Sequence, residues 1–237
     1  MKNSFAIARR EFGAYFNSPI AYIFIVVFLL ISGYMFFTEI TIGTPQADMR
    51  PLFGLAPLIF CIFAPLMTMG LFAEEKATGT LEMLLTLPVT DWEVVIGKFL
   101  GAVSVFTVMI LLTLPYVAFV AAYGNLDKGP MIGGYLGLVL MASGYIAIGV
   151  MTSTWTKNQI VAAIISFLIC FGLFLAGKLL QVLPQWLAPT VQAVSSDYHF
   201  QSISRGVVDL RDLFYYASLV VISLLIAQTS LESRRWR

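Results

Sequence analysis

Six long apolar runs dominate this chain and set the strongest limit on its fold. They cover residues of about 20–38, 52–72, 98–122, 131–152, 159–180 and 212–230. A helix needs roughly 20 mostly apolar residues to cross a bilayer, and each run has about that length. Because the runs are continuously apolar rather than alternating, they predict transmembrane helices and not the strands of a barrel. We therefore predict an all-α integral membrane protein with six transmembrane helices.

The composition supports the same class. Of the 237 residues, 59% are hydrophobic and 11% are charged, whereas a soluble globular domain has about 45–50% apolar and about 25% charged residues. The net charge is +1 and no basic stripe is present, so we expect no nucleic-acid partner. Cys61 and Cys170 both lie inside apolar runs, and we predict that they are small buried side chains rather than a disulfide or a metal pair.

The placement of Lys and Arg predicts the orientation of the chain. An even number of spans puts both termini on one side of the membrane. Nine basic residues lie on that side: Lys2, Arg9, Arg10, Lys76, Lys98, Lys157, Arg234, Arg235 and Arg237. Five lie on the other side: Arg50, Lys128, Lys178, Arg205 and Arg211. Because the more basic side of a membrane protein faces the cytoplasm, we predict that both termini are cytoplasmic.

The first 18 residues predict a cytoplasmic amphipathic helix. Its apolar stripe contains Phe5, Ala8, Phe12, Tyr15 and Phe16. The charged residues of this segment lie elsewhere on the helix, as in helices that lie in the membrane interface. Ser18-Pro19 ends the helix, and residues 19–237 form a single six-helix transmembrane domain. A basic tail that only sets topology is the alternative.

A charged segment, Glu74–Val89, separates the second and third runs. Gly79 permits a turn, the leucines that follow it have helical spacing, and Pro88 ends that short helix. Thr90 to Glu93 has the Thr-x-x-Glu pattern of a capping box, which predicts a new helix that continues into the third span. An ordinary acidic loop is the alternative interpretation.

The connection at 181–211 lies on the predicted outer side and is too long for a simple turn. We expect one or two short helices that dip into, or re-enter, the outer face of the membrane. Asp209, Arg211 and Asp212 are candidates for a salt-bridged clamp at the start of the last span. A solvated loop anchored by Trp and Tyr at the interface is the alternative.

No catalytic or metal-binding pattern is present in the sequence. Gly172–Lys178 matches the G-x4-G-K spacing of a phosphate loop, but Leu179 replaces the required Ser or Thr, and the segment is apolar. No metalloprotease helix or nucleophile elbow occurs. An ion-coupled transporter would keep an ionisable group near the bilayer centre, and none is found there. We predict no catalytic residues and no metal site, and we expect a partner to supply the energy.

Three segments resemble the ABC-2-type permeases, and together with the six runs the resemblance covers the whole chain. Residues 74–89, EEKATGTLEMLLTLPV, resemble the family's cytoplasmic signature between spans two and three. Residues 8–19, ARREFGAYFNSP, resemble its elbow helix. Residues 199–212, HFQSISRGVVDLRD, are similar to the gliding-motility-associated subgroup.

The resemblance implies a membrane subunit that pairs with a second permease copy or paralogue and with two separate ATP-binding-cassette ATPase subunits. It implies a location in the bacterial cytoplasmic (inner) membrane, in contact with lipid. ATP and Mg would bind to the partner ATPase, and this chain would bind no cofactor.

The resemblance also assigns roles to residues. In the family, the segment between spans two and three is a coupling helix that sits in a cleft of the ATPase. The candidate coupling residues are Glu74, Glu75, Lys76, Thr78, Gly79, Thr80, Leu81, Glu82, Leu84, Leu85 and Pro88. The leucines would fill an apolar groove and the charged residues would surround it. The candidate elbow residues are Arg9, Arg10, Glu11, Tyr15, Phe16 and Pro19. The candidate outer-face clamp contains His199, Arg205, Asp209, Arg211 and Asp212.

Two functions are consistent with this resemblance. The first is export of a substrate across the cytoplasmic membrane, driven by the partner ATPase. The second is transmission of mechanical work to an extracytoplasmic partner, as in gliding motility, without passage of a substrate. An intramembrane enzyme and a stand-alone channel or secondary transporter are disfavoured by the missing catalytic and intramembrane ionisable groups.

Overall fold

The computed structural model describes residues 2–42, 49–80, 89–124, 127–180, 184 and 186–235, and these residues form helices and no strands. The helices in these ranges are α1 (Lys2–Asn17), α2 (Pro19–Ile42), α3 (Arg50–Thr68), α4 (Gly70–Thr78), α5 (Asp91–Leu111), α6 (Leu114–Tyr123), α7 (Lys128–Trp155), α8 (Gln159–Leu179), α9 (Ala188–Val194), α10 (Ser196–Ser204) and α11 (Leu210–Arg235).

Among the described residues, six helical stretches are long and apolar enough to cross a membrane, which confirms the predicted number of spans. They are Pro19–Glu39, Arg50–Thr78, Asp91–Ala122, Lys128–Trp155, Gln159–Leu179 and Leu210–Ser233. The third begins at Asp91 rather than near residue 98. Thr90 and Glu93 form the predicted capping box, and the helix that it starts continues without interruption into the apolar run.

Two of the six stretches contain prolines and a break in the helix. The second contains Pro57 and Pro65 and changes from α3 to α4 at Met69. The third changes from α5 to α6 at Leu112 and Thr113, immediately before Pro115. Proline lacks a backbone donor and clashes with the carbonyl four residues earlier, so the break just before Pro115 is expected from the sequence. The break at Met69 lies four residues after Pro65, and the Met69 amide still donates to the Pro65 carbonyl oxygen at 2.9 Å.

Helix α7 is the centre of the bundle. It packs against α3, α5, α8, α10 and α11, and most of its length is buried. Many of its buried residues are Gly, Ala, Ser or Thr, which allow neighbouring helices to approach closely in a membrane protein. Cys61 and Cys170 are both buried and unpaired, as predicted, and the Cys61 thiol donates to the Cys170 carbonyl oxygen at 3.7 Å.

The two faces of the bundle have different structures. The inner face, named after the sequence prediction, contains α1, α4, the first turns of α5 and the last turns of α7 and α11. The outer face contains α9 and α10, two short helices within the 181–211 connection. The Ser195 side chain caps α10 by accepting from the Tyr198 amide at 3.2 Å. Helix α10 packs on α7 and α8 and buries Asp197, His199 and Phe200.

Candidate functional site

The described part of the predicted coupling segment is α4 together with its C-terminal cap. Glu74, Glu75, Lys76 and Thr78 lie on α4, and the Thr78 hydroxyl donates to the Glu74 carbonyl oxygen at 3.0 Å. Gly79 has a φ of 77° and ends the helix in the left-handed conformation, which glycine adopts without steric cost. Thr80 follows directly. The other candidates, Leu81, Glu82, Leu84, Leu85 and Pro88, lie outside the described residues.

Lys98 joins three segments at the inner face. Its Nζ atom donates to Glu75 Oε1 on α4 at 2.7 Å and to Glu11 Oε1 on α1 at 3.3 Å. Lys98 lies on α5, is only 2% exposed, and also sits 5.2 Å from the centre of the Phe72 ring. We call Glu11, Glu75 and Lys98 the inner-face triad. A buried lysine is costly unless it is paired, so these two carboxylates fix the relative positions of α1, α4 and α5.

Lys76 makes a second connection from α4 to the bundle. Its Nζ atom donates to the Thr154 carbonyl oxygen at the end of α7, and the Ser230 hydroxyl of α11 donates to the same oxygen at 3.2 Å. The last carbonyls of a helix lack intrahelical partners and carry partial negative charge, so a lysine is favourable there. Spans two, four and six therefore meet at one carbonyl group.

A single hydroxyl group forms hydrogen bonds to the backbone on both sides of the break between α3 and α4. Ser153 Oγ accepts from the amides of Phe72 and Ala73 at 2.9 and 3.0 Å and donates to the Met69 carbonyl oxygen at 2.9 Å. The first four amides of a helix have no intrahelical partner, and Ser153 satisfies two of them in α4. Ser153 is fully buried, so water does not replace it.

Helix α1 packs against the first turns of α5 through two glycines. A Cβ atom on Gly97 would lie 2.7 Å from the Ile7 side chain and 2.9 Å from the Ser4 carbonyl oxygen. A Cβ atom on Gly101 would lie 2.7 Å from Glu11 Cβ. Gly97 and Gly101 form the small-xxx-small pattern that allows close helix packing. The packed face of α1 thus brings Glu11 to Lys98.

The predicted elbow residues differ in how closely they contact the rest of the chain. The Tyr15 hydroxyl donates to the Met67 carbonyl oxygen at 2.7 Å, and burial, with a smaller effect of Glu11, raises the pKa of Tyr15. The phenol therefore remains a donor at neutral pH. Phe16 contacts Phe12 with ring centres 4.7 Å apart.

The remaining elbow residues are more exposed. Arg9 is exposed, Arg10 pairs with Glu11 at 3.0 Å, and Pro19 is the first residue of α2. Phe5 of the predicted apolar stripe is also exposed, at 72%. The contacts of α1 within this chain are therefore made by only part of that stripe.

A cavity of about 590 Å³ opens beside the inner-face triad. Its polar end contains Glu11, Glu74, Glu75 and Lys98, and its apolar end contains residues of the first two spans. Its volume lies in the range of small-molecule sites, about 300–1,000 Å³. The Glu75 Oε2 atom is buried and has no donor among the described residues.

The outer-face clamp takes a different form from the one predicted. His199 Nδ1 and Asp212 Oδ1 are 2.6 Å apart, both residues are buried, and the His199 ring stacks on Tyr215 with centres 4.1 Å apart. Arg205 and Arg211 are exposed and form no ion pair with the described aspartates. Asp209 accepts from the Arg211 amide at 3.0 Å.

Two further charged residues form an ion pair at the outer face. Lys178 Nζ lies 3.1 Å from Oδ2 of the buried Asp197. This pair ties the end of α8 to α10, so the lysine that the sequence places at the end of the fifth run contacts protein. Within the described residues, no three His, Cys, Asp or Glu side chains are grouped as a metal site requires.

Sequence reasoning missed three inner-face features. Residues 97–101, GKFLG, have two glycines four positions apart, a pattern typical of close helix packing, and it marks where α1 contacts α5. Lys98 lies between these glycines, but its partners are 87 and 23 residues away in the chain, so no local pattern identifies them. Ser153 is part of the run MTSTW at the end of a span, and nothing in that run indicates a contact with α4.

The comparison with known families agrees with this architecture. A family model described as ABC-2 family transporter protein matches residues 5–229, which is nearly the whole chain. No curated protein matches this chain.

Proposed function

Because this chain belongs to the ABC-2 family of transporter proteins and is therefore a membrane permease component of an ABC transporter, we propose that it exports a substrate across the bacterial cytoplasmic membrane. A separate ATPase hydrolyses ATP with Mg and drives the export. We further propose that two ATPase subunits and a second permease copy or paralogue complete the transporter, and that both termini face the cytoplasm.

The inner-face triad is the observation that supports this proposal best. A coupling element can transmit force only if it is stiffly attached to the membrane helices. Lys98 joins α4 to α5 and α1, while Lys76 joins α4 to α7 and α11. The resemblance assigns residues 81–88 to the ATPase cleft, and these residues follow α4 and its cap directly in the chain.

The proposed mechanism follows from these attachments. Closure of the ATPase pair pushes on residues 74–88. Since Glu75 and Lys98 hold α4 and α5 together, the second and third spans tilt as a unit. The tilt changes the width of the inner-face cavity, because α3, α4 and α5 all contribute to its walls. The chain itself contributes no catalytic group to ATP hydrolysis in this proposal.

One observation favours transmission of work to an extracytoplasmic partner as a second candidate. Helix α10 is held to α11 by His199 and Asp212 and to α8 by Lys178 and Asp197. Motion of spans five and six would therefore move α10 at the outer face. The cavity at the inner face favours export instead, because transmission requires no space for a substrate.

The test replaces Leu81 and Leu85 together with Asp in the transporter reconstituted with its ATPase. We expect the ATPase to be lost from the purified complex and the remaining ATP turnover to fall to the level of the isolated ATPase. Lys157→Asp is the control, because Lys157 is an exposed residue at the same face. Unchanged assembly and turnover in the double variant would refute the coupling assignment.

A flux measurement separates the two candidates. Sealed vesicles that contain the transporter are supplied with ATP, and the release or uptake of candidate amphiphiles is followed. Export predicts flux that requires ATP and is lost in the Leu81/Leu85 variant. ATP turnover that depends on an extracytoplasmic protein, without flux, would support transmission and contradict export.

A further inference from the structure

The inner-face cavity has an acidic end and an apolar end. Three carboxylates, Glu11, Glu74 and Glu75, and one ammonium group, Lys98, line the acidic end. The ammonium group is already bonded to Glu11 and Glu75. Arg10 also pairs with Glu11 from outside the cavity, so three carboxylates face two cations and the acidic end keeps a net negative charge.

Two carboxylates at the acidic end, Glu74 and Glu75, have unused acceptor capacity. Glu74 is exposed and forms no ion pair with another described residue. Glu75 Oε2 is buried and has no described donor, although Glu75 Oε1 is bonded to Lys98. A buried charged oxygen without a donor is costly, and a cation bound at the exposed Glu74 carboxylate would lower that cost through its charge. An anion would be repelled at the same position.

The apolar end lies inside the predicted membrane. Phe24 belongs to the first span, and Leu66 belongs to the second. Leu66 and Glu74 are eight positions apart on α3 and α4, which corresponds to about 12 Å along a helix. A side chain from a water-soluble partner would have to enter the hydrocarbon region to fill this end. An amphiphile with a short apolar tail fits both ends at once.

We propose that this cavity binds cationic amphiphiles, with the ammonium group at Glu74 and the apolar part between Phe24 and Leu66. This inference assigns a substrate class to the proposed export function and depends on that function for the claim that the ligand is cargo. Binding itself does not depend on an ATPase, so it is measured on the full chain alone.

The probe is dansylcadaverine, which carries an apolar fluorophore and a primary ammonium group. The full chain is placed in nanodiscs of phosphatidylcholine, and dansyl emission is titrated against protein with empty nanodiscs as the background. We expect saturable binding of dansylcadaverine. Its N-acetylated form, which has no charge, and dansyl-aminohexanoate, which is anionic, should bind at least about tenfold more weakly, because a hydrogen bond to a charged group is lost.

Three variants locate the binding site. Glu74→Gln should weaken binding by about tenfold, because it removes the exposed carboxylate without breaking a described ion pair. Leu66→Trp fills the apolar end and should abolish the saturable signal. Glu232→Gln is the matched control, since it removes an exposed inner-face carboxylate away from the cavity, and it should leave binding unchanged. Thermal unfolding of each variant confirms that it is folded.

The outcomes distinguish this inference from the proposed function. Equal binding of the ammonium and acetylated probes, or unchanged binding in both Glu74→Gln and Leu66→Trp, would overturn the cation site. Saturable binding that these variants weaken supports the site even if the coupling experiment on Leu81 and Leu85 fails. In that case the coupling assignment of the proposed function falls and the binding site stands.

Discussion

Replacing Lys98 with Met tests whether the inner-face triad holds three segments together. The variant keeps a similar side-chain volume but removes the ammonium group that Glu75 and Glu11 contact at 2.7 and 3.3 Å. Removing one partner of a buried ion pair costs about 3–5 kcal/mol, because the remaining charge is left without compensation. The Glu75 and Glu11 side chains are 21% and 13% exposed, so water recovers part of this loss.

We therefore expect a loss of about 3 kcal/mol in the free energy of unfolding, at the lower end of that range. For a chain of this size, each kcal/mol lowers the Tm by about 2–4 °C, so the expected decrease is roughly 6–12 °C. The measurement is thermal unfolding in nanodiscs, followed by tryptophan fluorescence. The Lys157→Met variant is the control, since Lys157 is an exposed lysine at the same face, and its Tm should not change.

A triple variant separates the charge effect from a packing effect. Glu11→Gln, Glu75→Gln and Lys98→Met together remove all three charges and leave no uncompensated buried ion. We expect this variant to recover most of the lost stability, with a residual cost of about 1 kcal/mol. If the triple variant were as unstable as Lys98→Met alone, or if Lys98→Met lost less than about 1 kcal/mol, the reasoning on the triad would be refuted.

Three further substitutions test other contacts. Gly97→Val should displace α1 from α5, because its side chain would overlap Ile7, and should lower the free energy of unfolding by about 1–3 kcal/mol, measured as a decrease in Tm. Ser153→Ala should lower the free energy of unfolding by about 1–3 kcal/mol, because two buried amides lose their acceptor. Asp212→Ala should release α10 from α11 and increase tryptic cleavage at Arg205 by about tenfold, because His199 loses its partner.

Each of these variants has a matched control elsewhere in the chain. Gly172→Val has open space for its side chain and should leave the Tm unchanged. Ser143→Ala removes only a hydroxyl that bonds within its own helix and should cost much less than Ser153→Ala. Glu39→Ala removes an exposed carboxylate at the end of the first span and should not change cleavage at Arg205. Equal effects in a variant and its control would contradict the assigned contact.

The number and approximate position of the membrane spans were predictable because apolar run length is a local property of the sequence. The capping box at Thr90 was predictable for the same reason, since its two partners are three residues apart. The two helices at the outer face were also expected from the amphipathic character of residues 181–211. In each case, the signal and the structure lie within one short segment.

The inner-face triad was not predictable, because it depends on how distant segments pack. Glu11, Glu75 and Lys98 each look like ordinary surface charges in the sequence. They become a buried cluster only when Gly97 and Gly101 let α1 approach α5. The outer clamp shows the same limit. The sequence predicts an ion pair between Arg211 and the neighbouring aspartates. The partner of Asp212 is instead His199, which lies 13 residues earlier, on α10.

The Ser153 contact has a consequence for the bending stiffness of the second span. An uninterrupted helix resists bending because every turn carries its own hydrogen bonds. Just after Met69, the amides of Phe72 and Ala73 bond to the Ser153 hydroxyl of α7 instead, so the first turn of α4 depends on the fourth span for its hydrogen bonds. The weakest point of the second span is therefore also a point at which α7 holds it. A force applied at Gly79 would be passed at one fixed depth to the fourth span as well as to the third.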